Sequence, residues 1–229
     1  MVPPSGPVRN APTARPSASI SVPQPVLANQ TTMTTTRRLS DAEKVQELDR
    51  LRQEVLPCQR CALSASRIQT VFGVGDPTAR VVFVGEAPGA EEDKRGEPFV
   101  GQAGKLLDRM LASIGLDRGQ IYIANVLKCR PPANRNPAPE EVALCQGFLF
   151  RQLEIIQPVI LFALGRFAIE SLLGHTGPIG AARNRSAAWR GIPVVASYHP
   201  AFYLRQSSRK KDAWDDLQRL EELMTEHSF

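Results

Sequence analysis

The segment Arg80-Val-Val-Phe-Val-Gly-Glu-Ala-Pro-Gly89 decides the fold of this chain, because an apolar run passes directly into a turn rich in glycine and proline. Valine and phenylalanine favour extended backbone, and a run that is apolar on both faces is typical of a parallel strand covered by helices. We therefore predict a buried strand over Arg80–Gly85. Similar runs predict three more strands, at Gln120–Val126, Val159–Leu164 and Ile192–Ala196.

Segments with apolar residues at helical spacing precede, separate and follow these strands. The first begins after Ser40, a good N-cap residue. Strands that alternate with helices predict an α/β fold, here a three-layer α/β/α sandwich with a mainly parallel four-stranded central sheet. Ligands of such sheets bind at the carboxyl ends of the strands. The predicted helices are Asp41–Val55, Ala103–Ile114, Pro139–Ile156, Arg166–Leu173 and Lys211–Met224.

The first 40 residues differ in composition from the rest, with seven prolines and no Asp or Glu. Such a segment cannot bury enough apolar surface to offset the entropy of ordering it. We therefore predict a disordered tail over residues 1–40 and one domain over residues 41–229. An organelle transit peptide and a translation start at Met33 are the alternatives, and the prolines disfavour the first. Most of the net charge of +5 comes from tail arginines, so the charge is weak evidence for a nucleic-acid partner.

Cys58, Cys61, Cys129 and Cys145 are the only cysteines in the 229 residues. Four thiolates complete the ligand set of a zinc ion or an iron–sulfur cluster. Structural zinc sites usually contain two short CxxC pairs, whereas this chain has one, so the spacing favours iron–sulfur. Disulfides and inert buried thiols are the alternatives.

Polar side chains follow three of the predicted strands. Glu86 comes directly after Gly85, Asn125 lies at the end of the second strand, and His199 follows the fourth. Asn125 could read the edge of an amide-like heterocycle, although a structural role is equally common for an Asn at a strand end. Phe99 lies in a loop with little core to pack into, so it could offer a flat face to a planar ligand. The other carboxylates of the first loop are predicted to serve only caps and turns: Glu91, Glu92 and Asp93.

Four segments, in order, resemble those of type-4 uracil-DNA glycosylases, iron–sulfur enzymes that remove deaminated cytosine from DNA. They are GEAPGAEED (85–93), PFVG (98–101), NVLKCRPP (125–132) and YHPA (198–201), and the likeness spans residues 42–224. The resemblance implies that the four cysteines bind a [4Fe–4S] cluster. It also implies a uracil pocket formed by Gly85, Glu86, Ala87, Phe99, Asn125 and His199.

The resemblance further implies a role for each pocket residue. Phe99 would stack on the base, Asn125 would read its N3 and O4 edge, and His199 would reach O2. Glu86 and His199 would be catalytic, the first by stabilising the sugar cation and positioning water, the second by holding the negative charge that develops on the leaving base. Some related proteins trap uracil-DNA through a His on a basic insertion, which residues 129–139 lack, so we expect turnover.

Basic residues predict where DNA would bind. No carboxylate occurs between Glu170 and Asp212, and the interval contains seven Arg and Lys residues. A strip of one sign suits a polyanion, although a solvated surface loop is an equal alternative. Tyr203 and Leu204 are candidates for a side chain that wedges into the duplex. The residues predicted to contact phosphates are Arg205, Arg209, Lys210 and Lys211.

The expected function is hydrolysis of the N-glycosidic bond of uracil in single- or double-stranded DNA, by a monomer. No run of 18 apolar residues predicts a membrane span. We expect a cytoplasmic, nucleoid-associated protein of bacterial type. One alternative is a non-catalytic iron–sulfur module that binds nucleic acid. Another is a doubly wound nucleotide-binding enzyme, which the absence of G-x-G-x-x-G and of a P-loop motif disfavours.

Overall fold

The computed structural model describes residues 37–229. Most of the predicted tail therefore lies outside the described residues, and its disorder stays a prediction. The helices are α1 (Asp41–Val55), α2 (Ala90–Arg95), α3 (Gln102–Ser113), α4 (Pro139–Ile156), α5 (Arg166–Leu173), α6 (Ile179–Arg183), α7 (Pro200–Arg205) and α8 (Lys210–Glu226). The strands are β1 (Val74–Gly75), β2 (Val81–Gly85), β3 (Tyr122–Asn125), β4 (Ile160–Leu164), β5 (Ala187–Trp189) and β6 (Ile192–Ser197).

One mixed sheet organises the domain, with the strand order β1-β3-β2-β4-β6-β5. The four inner strands are parallel and correspond to the four predicted ones. The predicted strand count is wrong, because β1 and β5 add an antiparallel strand at each edge. These strands have only two and three residues, too few for an apolar run to mark them in the sequence. Helices α2, α6 and α7 were not predicted for the same reason, because they have only five or six residues each.

Alternate residues of each inner strand face opposite sides, so the sheet supports two separate cores. Val82 and Val84 pack with α1, α4 and α5 on one side, whereas Val81 and Phe83 pack with α3 and α8 on the other. Phe83 stacks on Phe162 of the neighbouring strand at 4.8 Å between ring centroids. The three-layer α/β/α sandwich is therefore confirmed.

Helix α1 begins as the sequence predicts. The Ser40 hydroxyl accepts from the Glu43 amide, and the Glu43 carboxylate accepts in return from the Ser40 amide at 2.8 Å. This capping box satisfies two amides that helical hydrogen bonds leave free. The buried face of α1 then packs on α4, which fixes the segment that leads to Cys58 and Cys61.

Residues 37–229 include no helix with the length and apolar character needed to cross a membrane.

Candidate active site

The carboxyl ends of the parallel strands meet at one cavity, which we call the base cavity. Its volume is about 430 Å³. Gly85 ends β2 and is paired with Asn125, which ends β3, so the register of the sheet brings their loops together. Residue His199 follows β6 at the same edge. Five of the six residues predicted for a uracil pocket line this cavity: Glu86, Ala87, Phe99, Asn125 and His199.

Gly85, the sixth predicted residue, does not line the cavity, but it allows two of the lining residues to come close. A Cβ atom at this position would lie 2.7 Å from the Phe99 ring and would also collide with Oδ1 of Asn125. Such contacts are too short for any side chain, so only glycine lets the ring and the amide approach here. The Phe99 ring is 5% exposed and stacks on His199 at 5.3 Å between centroids. The expectation that Phe99 has little core to pack into is wrong, because the ring also joins the core beside α3.

The side-chain oxygen of Asn125, Oδ1, is buried and accepts no hydrogen bond from the part of the chain that the structure describes. The Asn125 side chain is 2% exposed, and among residues 37–229 its Oδ1 is the only buried side-chain nitrogen or oxygen without a hydrogen-bond partner. A buried acceptor without a hydrogen bond lowers the stability of the fold, so such atoms usually accept a hydrogen bond from a ligand or a water molecule. Because Asn125 lines the base cavity, the arrangement suits a ligand that presents an N–H group.

His199 is held in one tautomer. Its Nδ1 accepts a hydrogen bond from the Ala201 amide at 3.2 Å, so the proton of the neutral ring lies on Nε2. Burial, helped by the charge of Arg205, lowers the pKa of His199 to about 4, although the charge of Glu92 acts in the opposite direction. The ring is therefore neutral at physiological pH and can donate from Nε2.

Glu86 is a carboxylate that lines the same cavity as His199. Burial raises the pKa of Glu86 above its ordinary value, and the charge of Arg166 acts in the opposite direction. The Glu86 carbonyl accepts from the Leu127 amide at 3.0 Å, which ties the first loop to the segment after β3. A carboxylate in this setting can hold a proton, orient water or stabilise a positive charge.

Glu92 does more than the sequence predicts. It caps α2 through the Gly89 amide at 3.1 Å, and its other oxygen accepts from the amides of Val100 and Gly101, each at 2.9 Å. One carboxylate thus joins the loop that carries Glu86 to the loop that carries Phe99. The prediction of a capping carboxylate is correct but incomplete, because the second pair of partners becomes adjacent only in the fold.

The segment after β3 supplies a wall that the sequence did not reveal. Pro131, Asn134, Arg135 and Asn136 also line the base cavity. Arg135 forms an ion pair with the buried Glu141 carboxylate, with Nη2 and Oε1 2.5 Å apart. The motif NVLKCRPP contains Pro131 but ends at Pro132, two residues before Asn134, and the only further signal was the polar composition of the loop.

All four cysteines line a second, smaller cavity on the side of the sheet that carries α1 and α4. They form no disulfide, and Cys129 and Cys145 are buried. The sulfur of Cys129 accepts from Arg67 at 3.1 Å, and that of Cys145 accepts from the Lys128 amide at 3.3 Å. Burial raises the pKa of the Cys145 thiol to about 11, so a thiolate there needs nearby positive charge. Within residues 37–229, no three His, Cys, Asp or Glu side chains are arranged to hold a single metal ion.

The basic residues between Glu170 and Asp212 do not form a surface of purely positive charge in the fold. Helix α8 brings carboxylates beside them, and the buried Arg183 pairs with Asp216 at 2.9 Å. Arg209 pairs with Asp212 at 2.5 Å, and Lys211 pairs with Asp215 at 2.9 Å. Of the four residues predicted to contact phosphates, only Arg205 lines the base cavity.

Tyr203 is not available as a wedge. Its side chain is 1% exposed within the core beside α3, and its hydroxyl lies 3.3 Å from that of Ser197. Leu204, the next residue of α7, is 45% exposed. Successive residues of a helix point in different directions, so only one of these two neighbours can reach out from α7.

Comparisons with known proteins show the family to which this chain belongs. The sequence model of the uracil DNA glycosylase superfamily matches residues 72–218, the part of the chain that holds the whole base cavity. The type-4 uracil-DNA glycosylase of Archaeoglobus fulgidus is 44% identical over 187 residues, which cover 78% of this chain and 94% of the relative. The type-4 enzyme of Thermotoga maritima is 44% identical over 160 residues, 69% of this chain and 83% of the relative.

A type-5 uracil-DNA glycosylase, that of Thermus thermophilus, is less similar, with 35% identity over 61% of this chain and 72% of the relative. This chain belongs to the uracil DNA glycosylase superfamily and, within it, to the type-4 uracil-DNA glycosylase family.

Proposed function

We propose that this protein hydrolyses the N-glycosidic bond of uracil in DNA, releasing free uracil and leaving an abasic site for base excision repair. The observation that carries the proposal is the unpaired Oδ1 of Asn125, buried in a cavity whose other walls are Glu86, Phe99 and His199. An extruded uracil offers the missing donor, its N3–H group. Similarity to type-4 uracil-DNA glycosylases supports the same substrate.

Recognition of the base follows from the shape and polarity of the cavity. The target nucleotide must leave the duplex, and a uracil mispaired with guanine leaves at lower cost than a well-paired base. Phe99 then stacks on the flat base, and Asn125 reads the N3 and O4 edge. Cytosine presents an unprotonated N3 to this position, so the Oδ1 acceptor would face another acceptor, and binding would be disfavoured.

Bond cleavage needs charge stabilisation at both ends of the breaking bond. The departing uracil gathers negative charge at O2, where the Nε2–H of neutral His199 can donate. The sugar gathers positive charge, which the carboxylate of Glu86 can stabilise while it positions or deprotonates the attacking water. A neutral donor suits this task because it stabilises the anion without first having to lose or gain a proton. One such donor is typically worth about 3 kcal/mol of barrier.

The four cysteines fit a [4Fe–4S] cluster. They line a common cavity as free thiols, and the basic side chains Arg67 and Lys128 lie against it. Four thiolates are the ligand set of such a cluster, with one thiolate for each iron. When bound, the cluster would supply a rigid covalent link between loops from α1, β3 and α4, and the excision chemistry described above does not pass through it.

DNA would bind across the carboxyl edge of the sheet. Leu204 is exposed beside the base cavity and could enter the space left by the extruded nucleotide. Arg205, Arg209, Lys210 and Lys211 follow it and could neutralise phosphates. Action as a monomer and a cytoplasmic, nucleoid-associated location stay predictions.

The alternative of a non-catalytic nucleic-acid-binding module is not supported. Such a module would not need a carboxylate, a neutral imidazole, an unpaired amide and a stacking ring around one cavity. The proposal is tested with the purified, cluster-loaded protein and a uracil-containing oligonucleotide, whose abasic product is cleaved by alkali. A matched oligonucleotide with thymine should remain intact. The proposal fails if the loaded protein binds the uracil strand and leaves it uncut.

A further inference from the structure

Lys128 is a buried charge that the proposed chemistry does not use. Its side chain is 1% exposed. The ammonium donates to the Asn125 carbonyl at 2.8 Å and to Oε1 of Gln152 at 2.6 Å. Both acceptors are neutral, and Lys128 lines the same cavity as the four cysteines, so the thiolates that would hold a cluster lie beside it. A buried ammonium is costly unless negative charge lies nearby, so this lysine depends on the cysteines.

The lysine belongs to a short segment, residues 125–129, that we call the strap. Its first residue, Asn125, reaches into the base cavity. The amides of the next two residues, Val126 and Leu127, donate to the carbonyls of Gly85 and Glu86, each at 3.0 Å. Every residue at this end of the strap therefore contacts the loop that would hold uracil.

The other end of the strap belongs to the cysteine cavity. The Lys128 amide donates to the sulfur of Cys145 at 3.3 Å, and Cys129 itself lines that cavity. The Lys128 side chain then folds back to the carbonyl of Asn125, three residues earlier. One side chain thus connects the negative charge of the cysteines to the backbone of the residue with the unpaired acceptor.

We propose that Lys128 is a positioning residue, which uses the negative charge of the four thiolates to hold Asn125 in register for the base. The inference rests on the proposed function of the base cavity. With the thiolates bound to a cluster, the ammonium has its counter-charge and the strap is fixed at both ends. When the lysine side chain is removed, the Asn125 carbonyl loses its donor and the base-reading amide is free to shift.

The test replaces Lys128 by Met, which has a similar length and cannot donate. Lys94→Met is the matched control, because the Lys94 ammonium is exposed and pairs only with Glu91. Three quantities are measured on cluster-loaded protein: iron and sulfide content, reduction potential, and the inhibition constant of free uracil. We expect K128M to keep its cluster at a lower reduction potential, because a positive charge beside it has gone. Inhibition by uracil should weaken about tenfold, as for loss of a hydrogen bond from a charged donor.

A double-mutant cycle with Asn125→Ala decides whether Lys128 acts through Asn125. If it does, K128M should add almost nothing to the loss of uracil inhibition already caused by N125A. Wild-type inhibition in K128M, full additivity in the cycle, or an equal change in K94M would each overturn the inference.

A variant that keeps the lysine covers the case in which K128M does not fold. Gln152→Leu removes one acceptor of the ammonium and leaves its contact with Asn125, so uracil inhibition should weaken relative to the wild-type protein, by less than about tenfold. Unchanged inhibition in Q152L would then overturn the inference. A wild-type protein that excises no uracil contradicts the proposed function itself. Excision that needs Asn125 and not Lys128 contradicts only the role of the lysine.

Discussion

Gly85 and Asn125 are paired across adjacent parallel strands, and the absence of a side chain on the first leaves room for the amide of the second. We therefore expect Gly85→Ala to lower the rate of uracil excision about 100-fold or more, because displacement of reacting groups by about 1 Å has an effect of that size. Single-turnover excision measures it. Gly147→Ala is the control, since a Cβ in that part of α4 would meet no atom within 4 Å. Comparable losses in both variants would contradict the assignment.

The carboxylate of Glu86 sets the acid limit of activity. Burial raises its pKa, so the group holds its proton to higher pH than usual, and excision should fall as the pH drops through that raised pKa. His199 adds no second limit in this range, because its pKa of about 4 leaves it neutral above pH 5. The measurement is the pH profile of single-turnover excision. Glu86→Gln should give a slow and nearly flat profile, and an unchanged acid limb in that variant would contradict the prediction.

Glu92 should matter for rate, because it joins the loop of Glu86 to the loop of Phe99 at the edge of the base cavity. Glu92→Gln weakens the link between the loops of Glu86 and Phe99, because an amide has one acceptor oxygen where the carboxylate has two. We expect excision to slow about tenfold, as for loss of a charge-assisted hydrogen bond. Glu91→Gln is the matched control on the same turn, exposed and paired only with Lys94. Equal rates in the two variants would show that the link is unimportant.

The pair of Arg183 and Asp216 should stabilise the domain. Removing Asp216 by substitution to Ala leaves a buried guanidinium with less negative charge, which we expect to lower the free energy of unfolding by about 3 kcal/mol. Chemical denaturation of the loaded protein measures the change. Asp215→Ala removes an exposed partner of Lys211 and should cost under about 1 kcal/mol. The prediction is wrong if the two variants unfold at the same denaturant concentration.

The basic residues predicted to contact phosphates should contribute unequally to DNA affinity. Arg209 and Lys211 are already paired with Asp212 and Asp215, whereas Arg205 lines the base cavity. We expect Arg205→Ala to lower the slope of log affinity against log salt by about one, as for loss of one phosphate contact, and Lys211→Ala to change it less. Titrations of a uracil-containing duplex at several salt concentrations give these slopes. A larger change in K211A would place the DNA elsewhere.

The inner sheet and the long helices could be predicted from the sequence because each contains enough apolar residues to show its own period. The edge strands could not, since β5 has three residues and takes its conformation from pairing with β6. Among the site residues, Glu86, Asn125 and His199 follow strands directly, so the sheet itself brings them together. Their position was therefore accessible to reasoning from strand ends alone.

Residues whose role depends on distant partners were harder to predict. Glu92 looked like a helix cap, because its second pair of partners lies in another loop. The role of Lys128 could not be predicted, because its acceptor Gln152 lies 24 residues away in α4. Of the two wedge candidates, Tyr203 is excluded by its burial, because nearness along the chain does not predict which side of a short helix a residue faces.

The hydrogen bond from the Ala201 amide to Nδ1 of His199 gives one side chain two separable duties. The ring closes the first turn of α7, and α7 carries the exposed Leu204, so the leaving-group donor and the tip that would enter DNA are mechanically joined. Asparagine is also a favourable cap, but it is too short to extend a second donor into the hollow. An asparagine at this position would keep the N-cap of α7 and remove the donor to the leaving base. One substitution would then leave a protein that still binds uracil in DNA and no longer excises it.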